Sequence, residues 1–328
     1  MCVANIVGNG AQKSLLIAIV LSVLFTVALV YATFEIPKLI NSLLVHVFPD
    51  YALIGEWDKV QEVTAAMRPF GYVAFLCVLG LMLVGFIINR WKLSVLNSFS
   101  LFLPVFSRFA FTMFFLAGVG FLRILWFPLI DASPTILKLG NVVYMPYLIL
   151  EFLFHFISID VGIPFSILSM SIGIFIFFLG VITWLYGKSN GIELIDFWIY
   201  RYSRHPQHLG FLIWSYGLLL LTSLLSVPRG GYVPPPSLIW LFLALVTIGS
   251  AIQEENAMTK KYGEKYSEYR NNTAFMIPLP KGASTLIMIP VKVLLRKEWP
   301  ESKKEVVYII VIYGTMFIFL SLPLLAFF

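Results

Sequence analysis

The sequence predicts an all-α, polytopic helical membrane protein with about eight transmembrane helices. Three observations carry that expectation. Of 328 residues, 59% are hydrophobic and 12% are charged, about half the ~25% charged share of a soluble domain. The mean hydropathy is +0.89. Apolar runs of near twenty residues recur along the chain, the length that crosses a hydrocarbon core. In lipid every backbone polar group must be satisfied within its own segment, so the spans are expected as helices.

The expected spans are 13–34, 69–89, 99–122, 141–159, 164–187, 209–227, 236–253 and 305–328. The first is longer than a signal-peptide core of ~7–15 residues and lacks a small-residue cleavage site. The fourth is short and carries Glu151 and His155 four residues apart, on one helix face. Ionisable groups inside a span are functional candidates by default, and pairing with each other explains them equally well. The sixth and seventh spans are joined by the Pro/Gly-rich turn 227–236 and form an antiparallel hairpin. The region 254–304 holds ten Lys and Arg residues and is expected on the cytoplasmic side. Both free ends of the hairpin, near Pro206 and Glu254, then converge there. Arg90 and Lys92 fall on the external side in this arrangement.

The net charge of +6 sits mainly in connecting loops, where membrane lipids are the expected partners and nucleic acid is not. Cys2 and Cys77 form no disulfide framework, and Cys77 is expected as a small buried hydrophobe. No CxxC or Cys/His spacing suggests a metal site. After Glu255, the recurrence of Met258, Tyr262, Tyr266 and Tyr269 among charged residues predicts an amphipathic surface helix, interrupted at Gly263. Leu286–Leu295 reads as an interfacial or re-entrant piece.

Two polar clusters carry the chemistry. Pro206 suits the first turn of the sixth helix. His205, before a proline, is expected extended and outside it. A helix N-terminus beside Ser203 and Arg204 makes an anion site. Glu254 and Glu255 are expected at the end of the seventh helix, where the dipole disfavours each by about 0.3–1 kcal/mol, so a cation must compensate. A ligand bearing a carboxylate and positive charges would satisfy both clusters. The competing reading is a set of structural ion pairs at membrane ends, with the tyrosines as interfacial anchors.

Tyr200 through Gly210 resembles the G-x-Y-x-x-x-R-H-P-x-Y-x-G motif of integral-membrane methyltransferases, the superfamily of isoprenylcysteine carboxyl methyltransferases and phospholipid methyltransferases. Glu254-Glu255 is similar to its paired glutamates. Tyr262-Gly263-Glu264-Lys265-Tyr266-Ser267-Glu268-Tyr269-Arg270 is similar to its aromatic-G-x-x-Y-x-x-Y element, and Ile277-Pro278-Leu279-Pro280 to its close. The resemblance implies a methyltransferase core at 164–282, with 1–160 a transmembrane region of unassigned role and 283–328 an interfacial segment plus the last span.

It also implies S-adenosylmethionine as methyl donor, in a cytoplasmic-side pocket, and a lipid-like acceptor. Tyr200, Arg204, His205, Pro206, Gly210, Glu254, Glu255, Tyr266 and Tyr269 are then the donor-binding candidates. Arg204, His205 and His208 are the catalytic ones. Arg204→Ala or Glu255→Ala would abolish donor binding in a folded protein. Two positions depart from the motif: His208 stands for its tyrosine and Trp198 for its first glycine. Imidazole can replace the hydrogen bond but titrates near neutral pH. The alternatives are an NADPH-dependent membrane sterol or enone reductase, whose motif reads closer to R-H-x-N-Y-x-G-D, and a non-catalytic lipid-binding scaffold.

Overall fold

The structure, a computed structural model, describes residues 9–105, 115–278 and 288–326, apart from short breaks at 45, 48, 50, 52–53, 117–118, 134, 157, 225–235, 294 and 298. The helices in chain order are α1 (Asn9–Leu44), α2 (Trp57–Ile87), α3 (Trp91–Phe102), α4 (Phe127–Ala132), α5 (Met145–His155), α6 (Gly162–Ser189), α7 (Pro206–Leu224), α8 (Ser237–Tyr262), α9 (Glu264–Asn272) and α10 (Lys303–Ser321). Between α3 and α4 lies a two-residue antiparallel pair, Phe115–Leu116 with Val119–Gly120.

Five helices among the described residues are long and apolar enough to cross a membrane: α2, α6, α7, α8 and α10 with its closing 3₁₀ turn. α1 adds a shorter apolar stretch, Gln12–Ala28. The most apolar window of α8 is 67% buried, against 17% for α2 and for α10. α8 is therefore the hub, flanked by α3, α7 and α10. The outer helices turn Phe70, Ile87 and Phe319 outward, as a lipid-facing surface requires.

α6 and α7 pack along a seam of small residues. A Cβ at Gly210 would lie 2.5 Å from the Phe177 nitrogen, and one at Gly173 2.3 Å from the Trp214 nitrogen. Close backbone approach replaces the hydrophobic drive that helices lack in lipid. α10 is started by a capping box in which Ser302 and Glu305 satisfy each other's backbone N–H groups.

Three expectations are corrected. The expected spans 99–122 and 141–159 are not single crossing helices. α3 ends at Phe102 and passes into the 3₁₀ turn Leu103–Val105 at Pro104, where a proline breaks the ladder. α5 has 11 residues, about 16 Å of helix against a ~30 Å core. Next to it, Asn141 Nδ2 donates to the Leu324 carbonyl and Ser237 Oγ to Asn141 Oδ1, so the segment caps the ends of α8 and α10. The Tyr147 hydroxyl there donates to Glu151.

The N-terminal helices also run in the opposite sense to the one expected. Ser14 at the start of α1 meets Ser189 at the end of α6 with the two Oγ atoms 2.6 Å apart. Lys92 lines the same cavity as Glu254 and Lys261. Lys92 and Lys261 thus share one end of the bundle.

The second correction concerns the glutamate pair. α8 runs on to Tyr262, so Glu254 and Glu255 lie two turns inside a continuous helix and not at its end. The helix stops at Gly263, whose φ of +57° is a conformation glycine adopts without cost, and α9 follows at once. The third concerns Cys77, which is exposed on α2 rather than buried. The turn 227–236 lies outside the described residues except for Pro236.

Candidate functional site

Helix α7 begins where the sequence places it. Pro206 occupies its first position. His205 stands just outside, and its carbonyl accepts the first helical hydrogen bond from Leu209 N–H at 2.9 Å. Ser203 Oγ accepts from His205 N–H at 3.3 Å. Arg204 N–H donates to the Ala274 carbonyl at 3.0 Å, which ties the segment to the chain leaving α9.

Against this start packs α8. Arg204 Nε lies 2.6 Å from Glu255 Oε1, with side chains 5% and 0% exposed. His205 Nε2 lies 3.1 Å from the same carboxylate oxygen. Arg204 also donates to the Arg270 carbonyl. Its guanidinium sits 5.8 Å from the ring centres of both Phe275 and Trp299, a cation–π arrangement. A cationic partner in a dry site, Arg204, and not a helix end, is thus what balances Glu255. Glu255 Oε2 and Asn256 Nδ2 are buried without a hydrogen-bond partner among the described residues.

Beside the cluster opens a cavity of about 1050 Å³. Of the residues the sequence singles out, Tyr200, Arg204, His205, His208, Glu254, Tyr266 and Tyr269 line it. Pro206, Gly210 and Glu255 do not. Glu255 lies behind the lining, in the ion pair. Gly210 lies in the α6–α7 seam, and the Pro206 ring lies near Gly180 of α6. Tyr269 donates its hydroxyl to the Tyr200 carbonyl at 2.7 Å, and Tyr262 donates to the Glu193 carbonyl at 3.1 Å. These bonds fasten α9 and the end of α8 over the 193–201 segment. Burial pushes the phenols of Tyr200, Tyr266 and Tyr269 above their ordinary range, so all three are neutral donors at physiological pH.

Sequence reasoning missed Lys92, Phe275 and Trp299. The external placement of Arg90 and Lys92, against the positive-inside bias, was the available signal for the first. The two aromatic residues had none, because their ring contacts with Arg204 join separate segments. The position of the motif's first glycine is informative too. Trp198 has φ +49°, the left-handed region that glycine enters freely and other residues rarely do. Its ring stacks on Tyr186 with centroids 5.0 Å apart.

The chain matches a sequence family described as "Protein of unknown function (DUF1295)" over residues 185–273. That segment runs from the end of α6 through α9 and contains Tyr200, Arg204, His205, His208, Glu254, Glu255, Tyr266 and Tyr269, whereas Lys92, Phe275 and Trp299 lie outside it. No curated protein and no solved structure matches the chain.

Proposed function

We propose that the protein is an integral-membrane methyltransferase that moves a methyl group from S-adenosylmethionine to a lipid-like or isoprenylated acceptor bearing a carboxylate or amine. The observation that carries this reading is the charge pattern of the cavity. Glu254 and Glu193 line it together with Lys92, Lys188 and Lys261, and Leu21 and Phe25 of α1 and Phe177 and Val181 of α6 supply apolar lining. S-adenosylmethionine combines a carboxylate with an ammonium and a sulfonium. Glu254 would meet the positive groups, and the lysines the carboxylate.

The volume slightly exceeds the ~300–1,000 Å³ of small-molecule sites, which leaves room for part of an acceptor chain against the apolar lining. When bound, the donor supplies an electrophilic methyl group. The protein's part is to hold the two reactants in line and exclude water. Arg204 and Glu255 would act from behind, by fixing His205 and the start of α7. Among the described residues His205 and His208 are the histidines that line the cavity, and neither is an obvious general base. The basic residues of 254–304, with Lys92 and Lys261 at one end of the bundle, support a cytoplasmic side for the site.

The test is calorimetric titration of detergent-purified protein with S-adenosylhomocysteine and, in parallel, NADPH. Micromolar binding of the first alone is expected. Binding of NADPH alone would move the protein to the reductases, and binding of neither would leave a non-catalytic scaffold.

A further inference from the structure

His208 has a neighbour set that a tyrosine there could not exploit. His205, His208 and Glu254 offer two imidazole nitrogens and a carboxylate oxygen, all within 4.8 Å of one another. The two rings are 5.5 Å apart at 76°, and His205 Nδ1 lies 3.8 Å from Glu254 Oε2. All three residues face the cavity.

The tautomer of His205 follows from its other nitrogen. The Glu255 carboxylate can only accept, so Nε2 carries the proton and donates to it. Nδ1 is then left with a lone pair directed to the side where Glu254 stands. A carboxylate that fixes a ligating histidine through its far N–H is the usual outer shell of a protein metal site. Glu255 is itself held by Arg204, at 0% side-chain exposure. The chain thus supplies an oriented imidazole with its outer partner, a second imidazole and a carboxylate.

We propose that His205 Nδ1, His208 and Glu254 form a binding site for a borderline divalent transition metal, of which zinc is the best match. Two imidazoles and one carboxylate are a donor set that zinc takes with a fourth position left open, here toward the cavity. A metal–ligand length of ~2.0–2.1 Å places tetrahedral ligand atoms roughly 3.4 Å apart, so the ligands close in slightly on binding. The site goes beyond the methyl-donor reading and does not depend on it. Because Glu254 serves in both, a bound cation and the donor's ammonium exclude each other at that carboxylate.

The test uses full-length, tag-free protein stripped with chelator and studied without any donor. Calorimetry with Zn²⁺, metal analysis after desalting, and visible spectra with Co²⁺ are the readouts. One Zn²⁺ per chain and Co²⁺ bands of a low-coordinate site are expected. His208→Tyr and Glu254→Gln should each weaken Zn²⁺ binding about tenfold or more, since loss of even an outer-shell partner costs ~10–100-fold. Glu193→Gln, a cavity carboxylate outside the cluster, should bind as the parent does. Should His208→Tyr fail to fold, His208→Asn takes its place. No zinc retained by the parent protein, or equal binding by the His208 and Glu254 variants, overturns the proposal.

Discussion

Arg204 and Glu255 meet with 2.6 Å between Nε and Oε1 where the start of α7 crosses α8, at a point solvent barely reaches. The contact joins segments remote in sequence. It also draws in His205 through the same carboxylate oxygen and the end of α9 through the Arg270 carbonyl. Removing one member strands a buried charge, which typically costs about 3–5 kcal/mol. Arg204→Ala and Glu255→Ala are therefore expected to lower the melting temperature in detergent sharply, contrary to the expectation of folded variants that merely lose a ligand. Arg204→Met combined with Glu255→Leu should melt above either single variant. A fully additive double variant would show that the pair is not coupled.

Glu254 is the variant that separates binding from folding. It faces the cavity with a side chain 40% exposed and has no short ion pair among the described residues. A hydrogen bond to a charged group is worth about 1.5–3 kcal/mol. Glu254→Gln should thus weaken S-adenosylhomocysteine binding by about tenfold or more while the melting curve stays near that of the parent. Unchanged affinity removes Glu254 from the donor site.

Gly210 tests the α6–α7 seam. Gly210→Ala forces a Cβ to within 2.5 Å of backbone in α6, and overpacking of this kind costs about 1–3 kcal/mol. Gly80→Ala on α2 meets nothing within 4 Å and should be neutral or slightly stabilising through helix propensity. Thermal melts of the two variants side by side decide the matter, and equal melting temperatures would refute the seam.

Trp198 tests the backbone at the motif's first position. Trp198→Gly and Trp198→Ala both lose the stack on Tyr186, but only glycine relieves the positive φ, by roughly 1 kcal/mol. The glycine variant should melt higher than the alanine variant. The reverse order would mean that the ring contact alone sets stability there.

The buried phenols predict an alkaline limit. Tyr200, Tyr266 and Tyr269 have folded pKa values raised by burial above the unfolded value of about 10. The neutral form is the one the fold accommodates, so their contribution to stability is full below pH ~10 and is lost as pH rises from there toward the folded values. Ultraviolet titration should show a late-ionising tyrosine fraction whose ionisation accompanies unfolding. Complete, reversible titration near pH 10 in folded protein would contradict the burial.

The sequence by itself determined the helical class, the helices α2, α6, α7, α8 and α10 that are long and apolar enough to cross a membrane, and the meeting of the two polar clusters. Apolar runs of fixed length and a Pro/Gly turn between two of them are local signals, and the hairpin they imply brings Pro206 to Glu254 by geometry alone. The tertiary structure decided what depends on several segments at once. It made Glu255 a buried ion-pair partner rather than a helix-end carboxylate, because α8 continues through polar sequence once α9 and the 270–275 segment cover it. It placed Gly210 in a helix seam and Lys92 in the cavity, it reversed the N-terminal helices relative to the expected sense, and it left 141–155 folded across one end of the bundle. Hydropathy reports how much a segment is drawn to lipid. Whether that segment crosses, and which of its polar atoms find partners, is settled by the surfaces the other helices present to it.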